Sequence, residues 1–161
     1  MLRQTAPLLT CLLAVPALAL APVPDSKVGD TLSLTGINSG ERLDVTVVKV
    51  VDPAGAKQYE TPSPGNHLVA VQFKLKNTGT AVYKDSPSNG ATVIDKKGQR
   101  FPASFNDSTA GPSFPGNVTI GTGKTALGFI TFEVPRASRV VTVQFAMNSG
   151  FSDDVGEWQV P

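Results

Sequence analysis

Apolar and polar residues alternate with a period of two along most of the chain beyond Val28. In HLVAVQFKLKN, from His67 to Asn77, Val69, Val71, Phe73 and Leu75 fall on one face. Gln72, Lys74 and Lys76 fall on the other. This alternation predicts a half-buried strand, because successive side chains of extended backbone point to opposite faces. Asn77-Thr78-Gly79-Thr80 supplies the turn that ends it. In RLDVTVVKVVD the apolar set runs Leu43, Val45, Val47 and then changes parity to Val48 and Val50. A parity change within one strand predicts a bulge or a crossing between sheets.

Downstream, Thr92–Asp95 and Arg100–Ala103 flank Lys96-Lys97-Gly98 as a hairpin. LGFITFEV and VVTVQFA read as two longer strands separated by Pro135-Arg136-Ala137-Ser138, with Val141, Val143 and Phe145 on one face. GEWQV follows, with Trp158 and Val160 in phase, and Val28–Leu34 opens the domain. No stretch outside the N-terminal segment keeps a three-to-four residue apolar period. The fold class is therefore all-β: an Ig-like antiparallel β-sandwich of about 8–10 short strands, with a closed barrel as the alternative. Without a repeat or long linker, residues 28–161 read as one domain.

The segment before that domain has a different pattern. MLRQTAPLLTCLLAVPALALAPVPD carries one charge, Arg3, then an apolar run of roughly 15 residues, short of the ~20 that span a bilayer as a helix. A charged start, an apolar run and small-residue A-x-A sites are the layout of a secretory signal peptide. Cleavage is expected after Ala19, because cleavage after Ala21 would leave Pro22 at the scissile bond. Residues 1–19 are thus a leader and residues 20–27 a mature N-terminal tail. Cys11, the one cysteine, lies inside the leader with most of the apolar run after it, which argues against lipidation. Its removal leaves no disulfide, thiol nucleophile or cysteine metal ligand. The product would be secreted, extracellular or retained at the cell wall, with no membrane span.

Charge narrows the partners. The chain has 14 Lys+Arg against 13 Asp+Glu, and loss of Arg3 with the leader makes the two equal. Nucleic acid requires a concentrated positive footprint and is disfavoured.

Candidate chemistry is sparse. GTGKT, Gly121 to Thr125, resembles the end of a phosphate-binding loop, but Val118 stands where the pattern needs glycine and a strand follows. It is a turn. His67, the sole histidine, reads as a partly exposed residue at a strand end, without the partners of a catalytic triad. The loop FNDSTAGPSFPGN places Phe105 and Phe114 among small polar residues; exposed aromatics in such a loop suit binding, while the reading preferred is that both rings tuck back under the loop and cap the core. With Tyr59 they are the candidate binding residues, at a loop-rich end of the sandwich. Asn106-Asp107-Ser108 and Asn117-Val118-Thr119 fit the glycosylation triplet. Near the C-terminus Asp153, Asp154 and Glu157 offer hard oxygen ligands for calcium, yet without the spacing of an EF-hand loop. Turn geometry or helix-start capping is the reading preferred for these acids. No catalytic residue and no cofactor is indicated.

Phe132-Glu133-Val134, the proline break, Val143 to Phe151 with its Met147-Asn148-Ser149-Gly150 turn, and Trp158 resemble the C-terminal third of the mycobacterial immunoprotective extracellular antigen family. Val28-Gly29-Asp30-Thr31-Leu32, the Val69–Gly79 strand and turn, and the late F-E-V strand resemble secreted actinobacterial domains of unknown function. The resemblance implies a secreted Ig-like β-sandwich without an established activity, and it brings no catalytic residues. The expected function is an extracellular binding module without catalysis, its partner an unknown protein or cell-surface component and its oligomeric state open. The alternatives are a cell-wall hydrolase, which would pair Asp153 or Asp154 with Asp107, and a calcium-stabilised structural domain.

Overall fold

A computed structural model describes residues 26–161. The leader, its cleavage site, Cys11 and most of the tail lie outside the described residues. Ten strands form: β1 (Thr31–Thr35), β2 (Arg42–Ala54), β3 (Asn66–Asn77), β4 (Tyr83–Asp85), β5 (Ala91–Asp95), β6 (Arg100–Pro102), β7 (Val118–Ile120), β8 (Thr125–Pro135), β9 (Val140–Ala146) and β10 (Val155–Gln159). One sheet has the order β1-β2-β3-β8, the other β10-β9-β5-β6, and β4 and β7 make a separate two-stranded ribbon. All of these pairings are antiparallel. The sandwich expected from the alternation is the observed architecture.

The inward positions are those that the alternation selects. Val69, Val71, Phe73 and Leu75 of β3 are fully buried, as are Leu43, Val45 and Val47 of β2. Facing them, Val143 and Phe145 of β9 and Trp158 of β10 close the core. The rings of Phe73 and Phe145 meet across it with centroids 5.5 Å apart. Trp158 is 0% exposed, and its indole N–H donates to the Asp30 carbonyl at 2.9 Å. A buried indole requires such an acceptor.

The parity change in β2 is a bulge. Val47 pairs with Phe73 and Lys49 with Gln72, so Val48 is the extra residue and turns outward, while Val50 regains the inner face opposite Val71. Lys49 then lies on the outer face, its ammonium 5.2 Å above the ring of Phe129. The Lys96-Lys97-Gly98 turn joins β5 and β6 as a hairpin with Thr92 opposite Pro102. Asp95 fixes it by accepting from the backbone N–H of Lys97 and Gln99 and from the Ser138 hydroxyl. The Gly121–Lys124 segment is a turn, with Gly123 at φ +75°.

Two short helical turns escape a two-residue period: α1 (Pro87–Gly90) and a 3₁₀ turn over Asn148–Gly150. They pack on each other through Gly90, where a Cβ would meet the Ala146 carbonyl oxygen at 2.1 Å. Among the described residues no helix is long and apolar enough to cross a membrane.

Candidate functional site

The β1-β2-β3-β8 sheet buries residues on both faces. Leu68, Ala70, Phe129 and Thr131 point away from the sandwich core, yet all are buried. Two segments cover them: the β2–β3 loop, and the long connection from β6 to β7. The connection is not a loop at the end of the sandwich. It runs along the flank of β8, where Ala103 bridges Phe132 and Ser113 bridges Phe129. Backbone bonds from Ser104 to Thr131 and from Phe129 to Pro112 hold it there.

The covering segments are tied to one another. Ala56 bridges Ser108, the Thr109 N–H donates to the Gly55 carbonyl, and the Lys57 N–H donates to the Asp107 carbonyl. Lys57 Nζ also meets Asp107 Oδ2 at 2.9 Å. Ser113 donates its hydroxyl to Asp107, and these two donors, Ser113 first, hold that carboxyl below the usual range. Glu133 on β8 anchors both segments from below. Its Oε1 accepts from the Ser63 N–H and the Asn66 amide, and its Oε2 accepts from the Asn106 amide. Ser63 and Asn66 hold its acidity strong against the opposing effect of burial.

Tyr59 and Phe105 project from this tied pair. Tyr59 lies two residues beyond Lys57 and Phe105 two residues before Asp107, and the strands of the pair run antiparallel. Both rings therefore leave from the same end of it. Phe105 is fully exposed and Tyr59 is 92% exposed. Tyr59 is the third residue of a turn closed by Glu60 N–H to the Lys57 carbonyl, with φ +71°. That position favours glycine or asparagine, so an aromatic there is held under backbone strain.

The structure separates Phe114 from these two. It is half-buried against the core, and its ring lies over Gly128, where a Cβ would approach it at 2.8 Å. The missing side chain makes the seat for the ring. Of the two glycosylation triplets, Asn106 commits its amide to Glu133, whereas Asn117 is exposed.

The three C-terminal acids do not converge. Asp154 accepts from the Thr35 N–H at 2.8 Å and so ties the β9–β10 turn to the end of β1. Glu157 lies on β10 and accepts from Gln144 and Gln159. Asp153 is exposed. Among the described residues no group of three potential ligating side chains surrounds a common point. Nor do the acids imagined for a hydrolase meet, because Asp107 lies beside the β2–β3 loop and Asp154 at the opposite end of the 13-residue β2.

Sequence reasoning missed a second feature. Asp52 Oδ1 and His67 Nε2 are 2.8 Å apart, at the wall of an open groove of about 950 Å³ between the β2–β3 loop and the β8–β9 turn. Val28, Val50, Pro53, Pro62 and Val160 give the groove apolar walls, and Arg136 and Arg139 line it as well. The pairing was hidden because the β2–β3 register shifts between Val51 and Ala54, around Asp52.

At the other end, Asp85 accepts from the Tyr83 hydroxyl and from the Ser149 N–H and hydroxyl. Burial and then this bond push the Tyr83 hydroxyl far above its usual pKa. Asn148, at φ +56°, accepts from the Ile37 N–H and donates to Glu41. Every polar atom of this network has an internal partner, which makes the Met147–Gly150 turn a fastening.

Residues 27–155 match the sequence profile of a domain of unknown function, DUF4352. No curated protein matches the chain significantly. Solved structures that share its fold include the following three. The secreted protein MPT63 of Mycobacterium tuberculosis superposes with a TM-score of 0.58 at 16% identity, covering 86% of this chain and 99% of that one. The yjhA protein of Bacillus subtilis gives 0.60 at 16% identity, covering 84% and 99%. The candidate lipoprotein ycdA of Bacillus subtilis gives 0.60 at 16% identity, covering 84% of this chain. This chain spans only 38% of the length of ycdA. The resemblance read from the F-E-V and M-N-S-G stretches thus holds at the level of the fold.

Proposed function

This chain belongs to the DUF4352 family, and we propose that it is a secreted, non-catalytic binding module that holds its partner through Tyr59 and Phe105. The observation that carries this reading is the exposure of two aromatic rings on a pair of loops that are cross-linked rather than mobile. Lys57–Asp107 and the three donors on Glu133 fix the backbone beneath the rings. Rigid aromatic side chains lose little entropy on contact and dominate binding energy where they are found. The strain at Tyr59 supports the same reading, because a residue kept against its backbone preference serves something other than stability. The solved relatives that are secreted or assigned to lipoproteins favour an extracellular partner, a protein or a component of the cell surface.

The test is retention on cell-envelope fractions, comparing the wild-type protein with Tyr59→Ala, Phe105→Ala and the double variant. The double variant should lose at least about tenfold in retention, as hot-spot residues do, while its melting temperature holds. Equal retention by wild type and double variant refutes the assignment of the surface.

A further inference from the structure

The groove between the β2–β3 loop and the β8–β9 turn is separate from the aromatic surface, although Ala56 and Pro62 of its wall belong to the loop that carries Tyr59. Its volume of about 950 Å³ is that of a small-molecule site, and its apolar lining with a few charged groups has the composition of one. The charged groups are unequal in sign. Lys49, Arg136 and Arg139 line it against one acidic side chain, Asp52, whose carboxylate lies 2.8 Å from His67 Nε2.

The arginines are placed but not used up. Arg136 donates from Nε to the Asn66 carbonyl at 3.2 Å, and Arg139 donates from Nη2 to the Pro161 carbonyl at 2.9 Å. A guanidinium has five N–H donors, and both residues are exposed, so each keeps donors beyond the one it uses here. Among the described residues neither arginine pairs with an Asp or Glu side chain; the close contacts of carboxylates with basic side chains there are Lys57–Asp107 and Asp52 with His67. The Asp95–Ser138 bond also brings the Lys96-Lys97 turn to this end of the sandwich. Like charges gathered around a low-dielectric cleft raise the local concentration of opposite charge.

We propose that this groove binds an amphiphilic anion, with a phosphate or carboxylate head held by Arg136 and Arg139 and a short hydrocarbon body against Val50, Pro53 and Val160. A guanidinium recognises such heads through parallel N–H···O bonds, and a lysine cannot replace that geometry. The shared chemistry has two sources, a soluble phosphorylated metabolite or the head of a membrane lipid.

Calorimetric titration of the protein with octyl phosphate, octyl glucoside and inorganic phosphate tests the proposal. Octyl phosphate should bind at least about tenfold more tightly than either the neutral amphiphile or the bare ion. Its affinity should fall several-fold between 0.1 and 0.5 M salt, as expected for incompletely shielded charges. Arg136→Gln with Arg139→Gln should weaken it by at least about tenfold, the loss expected for even one charge-assisted bond. Phe105→Ala should leave it unchanged, which keeps this site distinct from the aromatic surface. Co-sedimentation with phosphatidylglycerol vesicles, lost in the arginine variant, assigns the lipid source; octyl phosphate binding without co-sedimentation assigns the soluble one. Equal affinity for octyl phosphate and octyl glucoside, or no binding of either, overturns the proposal even if the arginine variant fails to fold.

Discussion

Trp158 and Asp30 are joined by a 2.9 Å hydrogen bond across 128 residues of chain, from the indole N–H on β10 to the carbonyl just before β1. The bond fastens the last strand to the first and fills the core at once. Trp158→Ala should cost about 3–5 kcal/mol, as large aromatic deletions do. Trp158→Phe should cost about 1–3 kcal/mol, because the Asp30 carbonyl loses its donor. Urea unfolding reads both; a Trp158→Phe variant as stable as wild type would show that the hydrogen bond adds nothing to the packing.

The two phenylalanines of the long connection should separate in the same assay. Phe114→Ala empties the seat above Gly128 and should lose about 1.5–3 kcal/mol, the worth of a large apolar side chain. Phe105→Ala removes a ring that touches solvent and should stay within about 0.5 kcal/mol of wild type.

Tyr59→Gly should stabilise the protein while weakening retention on envelope fractions. A non-glycine residue at φ +71° carries strain of about 1–3 kcal/mol, partly offset by the greater freedom of an unfolded glycine. A gain of a few degrees in melting temperature is expected; a fall would mean that the tyrosine ring packs rather than projects.

Gly90→Ala should be among the most damaging small substitutions. The new methyl would meet a backbone oxygen, that of Ala146, at 2.1 Å, and neither neighbour is a flexible side chain that can swing away. Overpacking of this kind costs about 1–3 kcal/mol or more. A denaturation midpoint equal to wild type would show that α1 shifts freely against the 3₁₀ turn.

Stability should decline in acid. Gln99, Ser138 and Lys97 hold the Asp95 carboxyl below its ordinary value of 3.8, and Ser63 and Asn66 lower Glu133 from 4.5. Asp107 is lowered in the same way by Ser113 and Lys57, and Glu41 by Asn148 and Asn38 despite its burial. A carboxyl whose folded pKa is depressed contributes stability that is complete above its unfolded pKa and disappears as pH falls through the folded one. Urea midpoints should therefore be level above about pH 5.5 and drop steadily from about pH 4.5 downward. Glu133→Gln should flatten that drop, and an unchanged slope would remove Glu133 from the account.

Where side chains alternate with the pleat, the sequence was legible. β3, β8, β9 and the β5–β6 hairpin follow from apolar residues two apart and a glycine or proline turn, and the β2 bulge follows from a single parity change. The Met147–Gly150 turn could be seen as a motif but not as a helical turn, since three residues carry no period. Asp154 was legible as a turn residue, but its partner, the Thr35 N–H 119 residues away, was not. The candidate sites were legible in part for a related reason. Aromatics in a polar loop marked Phe105 and Phe114 alike, and Gly128, a glycine in the middle of a strand, was the one sign that a ring would settle there. Glu133 read as the outward residue of a strand. Its role depends on three donors from Ser63, Asn66 and Asn106, whose meeting no local spacing encodes.

The connection that carries Phe105 also occupies the outer hydrogen-bonding side of β8, through Ser104, Pro112 and Phe114. Residues 26–28 do the same for β10, where the Gln159 N–H donates to Ser26 and its carbonyl accepts from Val28. Unpaired strand edges are templates for adding strands from other molecules. At high local concentration an open β8 would invite edge-to-edge pairing between copies. The segment that displays the aromatic surface is thus also the segment that keeps copies of the protein apart, and trimming it would trade a lost contact for a fibre.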